Sequence, residues 1–162
     1  MDFSRVYITG CDCTGKSTIA QGITDATGIP ITKFSKPETY EGDALDRAEF
    51  ERLASSQEDC ILDRAWNGRY AYEGILDQMS NVLPLHRILE YSVELSKEFT
   101  DNGGTIIMTH ASHKSILRRL HDRGDDFIKP YQIYDIIERY KHIHKAYLNA
   151  GVPFYFVDTS HL

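Results

Sequence analysis

Gly10, Gly15, Lys16 and Ser17 stand at the spacing G-x-x-x-x-G-K-[ST] within "ITGCDCTGKST", residues 8–18, directly after the apolar run "RVYIT". Two glycines at that spacing let consecutive backbone N–H groups turn toward one anion. Lys16 adds a positive charge, and Ser17 offers an oxygen to Mg²⁺. The following "STIAQGITDAT" has a helical pattern, so the positive end of a helix would face the same anion. With strand, loop and helix in register, Gly10, Cys11, Asp12, Cys13, Thr14, Gly15, Lys16, Ser17 and Thr18 read as a nucleotide-phosphate site.

Two further clusters carry charge where phosphate chemistry needs it. The apolar run in "CILDRAW" ends in Asp63 and Arg64. An acidic side chain at a strand end next to a phosphate loop is placed to hold Mg²⁺ together with Ser17, and Arg64 to reach a second phosphate. In "ILRRLHDRGDDF", Arg119 and Arg123 are four apart and share a helix face, Arg118 points away, and Gly124 marks a hinge. Arginines on a movable segment neutralise a phosphoryl group in flight and exclude water. The same residues also fit a solvated helix face, with Asp122, Asp125 and Asp126 as partners.

Taken together, these segments resemble the thymidylate kinases, within the wider group of P-loop kinases of nucleosides and nucleoside monophosphates. The family pattern D-G-x-G-K-S-T is matched by Asp12 before "CTGKST", the D-R pair with S-x-x-A-Y-Q-G by "DRAWNGRYAYEG", and L-x-R-L-x-x-R-G by "LRRLHDRG". The resemblance runs in order from residue 5 to about residue 145. It implies a three-layer P-loop NTPase α/β fold, a five-stranded parallel sheet with helices on both faces, forming one kinase domain over residues 1–162 with a lid near 118–130. It also implies an ATP–Mg²⁺ donor site at Gly10 to Thr18, an acceptor sugar near Asp12, the acceptor phosphate on Arg64, and Tyr72 near the base. Trp66 and Tyr70 follow the D-R pair on the acceptor side, where one of them would stack on the base. Arg47 would read a base edge. Cys13 stands where the family has a glycine and Glu73 where it has an amide, and "DTSHL" alone follows the last apolar run to meet the donor base.

Lys36 separates acceptor classes. Similar nucleoside kinases place Glu before the proline of this loop, a base for an attacking hydroxyl, whereas this chain has Lys36 before Pro37. A monophosphate acceptor is already anionic and needs cations that hold two negative reactants together. Lys33 or Glu38 would take that place at a shifted register.

The elements that must position these residues alternate. Apolar runs predict strands near 5–9, 31–35, 59–63, 104–109 and 153–157. Helical patterns cover 16–26, 43–54, 67–79, 82–101, 112–122 and 130–149, with "GDAL", "DNGG" and "NAG" as turn signals. Such alternation is the sequence form of a parallel sheet, whose ligands collect beyond the carboxyl ends of the strands. The 162 residues suffice for one core. Three cysteines, an odd number, argue against a disulfide framework. A net charge of −6 gives no general attraction to nucleic acid, so small nucleotides are the expected partners. No apolar stretch approaches the roughly 20 residues of a membrane span, and the N-terminus lacks a signal-peptide pattern, which gives a cytoplasmic expectation. Homodimer formation is compatible with the sequence and undecided by it. His110 with His113, and His142 with His144, are read as packing residues rather than a metal site, as are Tyr131, Tyr134, Tyr140 and Tyr147.

The expected function is phosphoryl transfer from ATP to a deoxynucleoside monophosphate, a thymidylate-like pyrimidine. The alternatives are transfer to a hydroxyl of a deoxynucleoside or of a modified base in DNA, and a nucleotide-binding module without catalysis.

Overall fold

The computed structural model describes residues 3–34, 39–75, 83–124 and 128–162. Five strands, β1 (Arg5–Gly10), β2 (Ile31–Lys33), β3 (Cys60–Asp63), β4 (Thr105–His110) and β5 (Tyr155–Asp158), form one parallel sheet in the order β2-β3-β1-β4-β5. The helices are α1 (Lys16–Thr27), α2 (Tyr40–Ser55), α3 (Asn67–Tyr72), α4 (Leu85–Asp101), α5 (His113–Arg123) and α6 (Pro130–Ala150). Parallel pairing requires a crossover after each strand, and burial on both faces explains why β1 and β3 are buried at every residue.

Alternation along β1 sends Val6 and Ile8 to one face and Tyr7 to the other. Val6 and Ile8 join Ile61, Ile107 and α1's Ala20; Tyr7 joins Leu62, Ile106 and Met108 beneath the remaining helices. The larger core centres on Trp66, whose ring meets Tyr7, Phe50 and Phe99 at centroid distances of 4.5, 6.0 and 5.6 Å. Each such buried aromatic pair adds about 0.5–1.5 kcal/mol beyond area burial.

Helix ends depart from the sequence reading where a cap or a proline sets them. The "GDAL" turn signal lies inside α2, because Thr39 caps that helix by accepting from Gly42 N–H at 3.0 Å, so Gly42 belongs to the capped first turn. β2 is only three residues long. α4 begins at Leu85, after Pro84, whose extended backbone (ψ 153°) stands outside the helix. α3 ends at Tyr72 before Gly74 (φ 74°), and the rest of the predicted 67–79 helix falls largely outside the described residues.

A buried polar chain fixes α3 on the sheet. Asn67 N–H donates to Tyr7 Oη (3.0 Å), and its side-chain amide donates to Thr9 Oγ1 (3.1 Å) and Tyr147 Oη (2.7 Å). Tyr147 lies 2.7 Å from Ser96 Oγ, which accepts from Trp66 Nε1 at 2.8 Å. Hydrogen bonds of this kind lock one arrangement of an otherwise apolar core, while Asn67 Oδ1 is buried without a partner. They hold the stretch after Asp63 and Arg64 at one angle to β1.

Candidate active site

Beyond the carboxyl end of β1 the chain turns through residues 11–15 into α1. Gly10 takes φ 151°, and a Cβ there would lie 2.5 Å from Thr109 O, so only glycine fits between β1 and β4. Cys13 and Arg64 adopt φ 59° and φ 70°, the left-handed region that costs a side-chain-bearing residue about 1 kcal/mol or more. Gly15 occupies the cap position of α1 with φ 91° and provides no side-chain cap, which leaves the first N–H groups of the helix for an anion.

Lys16 is 5% exposed, and its ammonium donates to Gly10 O and Cys11 O at 2.8 Å each. Burial, helped by the nearby Arg64 charge, lowers its pKa to about 8. Cys11 beside it is buried and pushed up to about 12, so it stays a thiol at neutral pH. All three cysteines are free.

Ser17 Oγ donates to Asp63 Oδ2 at 3.1 Å, and Lys33 Nζ stands 3.9 Å from the same oxygen. Asp63 is 2% exposed, and its Oδ1 is buried without a partner. A hydroxyl and a buried carboxylate with an unsatisfied oxygen form a hard-oxygen pair that fits Mg²⁺. Among the described residues no group of three His, Cys, Asp or Glu gathers as a metal site.

Asp12, within the loop, is buried. Its Oδ1 accepts from Arg64 Nη2 at 2.5 Å and from Tyr72 Oη at 2.9 Å. Burial, the largest single influence, works against the Arg64 charge, but Asp12, Tyr72, Tyr140 and Asp63 together outweigh it and hold the guanidinium pKa above its usual value. Tyr140 from α6 packs edge-on against Tyr72 at 6.4 Å. The structure thus brings together Asp12, Lys16, Ser17, Asp63, Arg64 and Tyr72, from three separate parts of the sequence.

Other predicted positions stand elsewhere. Trp66 is 1% exposed with its indole bonded inside the core, so it presents no face for a base to stack on. Tyr70 is also buried, with its hydroxyl 2.8 Å from His142 Nδ1 and Arg139 5.3 Å from its ring. Arg47 pairs with Asp43 on its own helix at 3.3 Å. Arg119 does not lie free over the phosphate loop as a lid arginine would: it donates to Cys13 O at 2.9 Å, to Thr159 Oγ1 at 3.1 Å, to Thr159 O, and to Leu162 O at 3.3 Å. Arg123 is exposed near the end of α5, and Lys36 and part of the 118–130 lid fall outside the described residues. His110 and His144 pack on Phe156. Sequence reasoning missed Asn67 and Thr159, single polar residues that no motif marks, whereas its reading of Tyr140 as helix packing agrees with that residue's place in the buried core.

Sheet order, loop and the Ser17–Asp63 pair together define the fold of the P-loop nucleoside and nucleoside monophosphate kinases. No family model matches the chain. It is 28% identical over 161 residues to the SPbeta prophage-derived uncharacterized protein YorR of Bacillus subtilis (strain 168), covering 95% of this chain and 88% of that protein. The crystal structure of YorR in complex with phosphorylated GDP superposes with a TM-score of 0.71 at 26% identity, covering 95% of this chain and 85% of YorR. Deoxyadenosine kinase from M. mycoides, with products dCMP and dCDP bound, gives 0.60 at 17% identity (95% and 89% covered). Thymidylate kinase from Candida albicans gives 0.59 at 16% (98% and 84%). Among the described residues no helix is long and apolar enough to cross a membrane.

Proposed function

We propose that the protein transfers the terminal phosphoryl group of ATP to a deoxynucleoside monophosphate, a thymidylate-like pyrimidine. The observation that carries this reading is Asp12. A carboxylate inside a phosphate loop repels the donor unless it serves another ligand, and here it points at Arg64 and Tyr72 on the β3 side of the loop. That arrangement offers an acceptor for a sugar hydroxyl and a cation for an acceptor phosphate, next to the donor amides.

In the reaction, an acceptor phosphate oxygen forms a bond to the γ-phosphorus of ATP while the β–γ bridging oxygen leaves as ADP. Catalysis is positioning and charge neutralisation. Lys16 exchanges the Gly10 and Cys11 carbonyls for phosphate oxygens. Arg64 exchanges part of its Asp12 contact for the acceptor phosphate, which frees Asp12 Oδ1 for the sugar hydroxyl. Ser17 and Asp63 would hold Mg²⁺, which supplies neutralisation of the donor's phosphate charge.

The phosphorylated GDP in the YorR structure makes guanine nucleotides the second candidate. Incubation with ATP–Mg²⁺ and a panel of nucleosides, nucleoside monophosphates, GDP and DNA tests both readings. Labelled phosphate on thymidylate-like monophosphates supports the first and on guanine nucleotides the second; label on nucleosides or DNA, or on nothing, overturns both.

A further inference from the structure

A chain of hydrogen bonds crosses from the loop to the segment after β5. Thr159, 4% exposed, donates through Oγ1 to Thr14 O at 3.0 Å and accepts from Arg119 Nη1 at 3.1 Å, while its own N–H reaches His110 O at 2.7 Å. Arg119 also holds Cys13 O. Thr14 Oγ1 lies 2.5 Å from Cys11 O and 2.6 Å from Thr109 Oγ1. The Thr159 methyl sits beneath Gly15, 3.6 Å from where a Cβ would stand.

We propose that Thr159, with Arg119, is a positioning residue that aims the phosphate-loop amides at the donor. The physical reason is the trans peptide plane, in which a carbonyl and the next residue's N–H point to opposite sides. Pinning Cys13 O and Thr14 O on the protein side turns the N–H groups of Thr14 and Gly15 outward, to where an anion is received. A loop with left-handed Cys13 in place of glycine needs such anchoring, because that residue's preferred backbone lies elsewhere. Helix α5 supplies the rest of the clasp. Ser115 Oγ donates to Ser160 O at 2.8 Å, and Ser160 Oγ accepts from Ser112 N–H at 2.8 Å, so the face carrying Arg119 is committed to residues 159–162. Arg119 therefore serves donor binding through the loop.

The inference rests on the phosphate loop binding a donor, as in the proposed function, and a titration separates the two. Binding of ATP–Mg²⁺ and of inorganic triphosphate with Mg²⁺ is measured by calorimetry for wild type, Thr159→Val, Thr159→Ser and Arg119→Lys. Thr159→Val keeps the methyl packing and loses the hydroxyl. Both ligands should bind it about tenfold or more weakly, about 1.4 kcal/mol. Thr159→Ser should bind within about threefold of wild type, and Arg119→Lys should resemble Thr159→Val. In turnover assays the donor KM should rise while the acceptor KM moves less than about twofold, a split that a general loss of fold would not produce. Thr159→Val binding like wild type, or Thr159→Ser as weak as Thr159→Val, overturns the clasp. If Thr159→Val does not fold, Thr159→Ser and Arg119→Lys decide: equal affinities in those two overturn it. A wild type that binds triphosphate and phosphorylates nothing overturns the kinase reading alone.

Discussion

At the residue scale, Lys16 makes the loop sensitive to pH. Its folded pKa, about 8 against an ordinary 10.5, means that between those values the unfolded chain holds more protons than the folded one. The burial penalty on stability is therefore full below pH 8 and relaxes as pH rises toward 10.5. Donor binding runs the other way. A polyanion favours the charged ammonium and draws a proton back, so affinity should fall as pH rises through about 8. Calorimetry in two buffers of different ionisation enthalpy should show uptake approaching one proton at about pH 9 and near none at about pH 6.5; no uptake at the higher pH would refute the assignment. Asp12 gives a second expectation. On the proposed function, Asp12→Asn would remove a charge-assisted bond to the acceptor, worth about 1.5–3 kcal/mol, so kcat/KM for the acceptor should drop tenfold or more while ATP affinity changes little. The mutant should also discriminate less against a 3'-deoxy acceptor. An undiminished 3'-hydroxyl preference would remove Asp12 from the acceptor site.

At the element scale, α5 carries two arginines one turn apart with different surroundings. Arg119 is bonded to the loop and the chain end, whereas Arg123 is exposed beside Gly124, which ends the helix at φ 70°. Arg123→Ala is expected to lower kcat more than it weakens ATP binding, since a contact made in the transition state is lost preferentially. Unchanged kcat with a lower Tm would make Arg123 structural. The α4–β4 turn offers a packing test remote from the site. A Cβ on Gly104 would stand 2.6 Å from Phe99 O and closer still to the Phe99 ring, so Gly104→Ala should destabilise by about 1–3 kcal/mol and leave the donor KM unaltered.

At the scale of the whole molecule, Arg5 ties the sheet to its helical layer. It is 3% exposed, donates to Leu53 O at 3.0 Å and Glu58 O at 2.9 Å, and lies 4.7 Å over the Phe99 ring. Arg5→Met keeps most of the volume but removes both bonds, leaving Leu53 O only the longer bond from Ser56 N–H at 3.4 Å, which should cost about 2 kcal/mol. A shifted urea midpoint at constant slope would confirm it, and an unmoved midpoint would show the bonds to be dispensable. Ligand linkage belongs to the same scale: on the proposed function the donor would bind only the folded loop, so saturating ATP–Mg²⁺ at about a hundred times Kd should add about 2.7 kcal/mol to wild type. Lys16→Ala should remove that gain along with turnover and remain folded.

Where chemistry is local in sequence, the sequence determined it. The Gly10–Ser17 spacing, the apolar runs and the D-R pair at a strand end depend on neighbours a few residues apart, and the strands and helices stand close to where these patterns place them. The tertiary structure decided what the patterns could not carry. Trp66 follows the D-R pair in the chain, yet the three aromatic rings around it and the hydroxyl of Ser96 draw it inward. Arg119 and Arg123 are equivalent on a helical wheel; the approach of residues 159–162 distinguishes them. Asn67 and Thr159 acquire meaning only when strands from distant parts of the chain meet, because a hydrogen bond depends on separation in space, and Thr159 lies 145 positions from its partner Thr14.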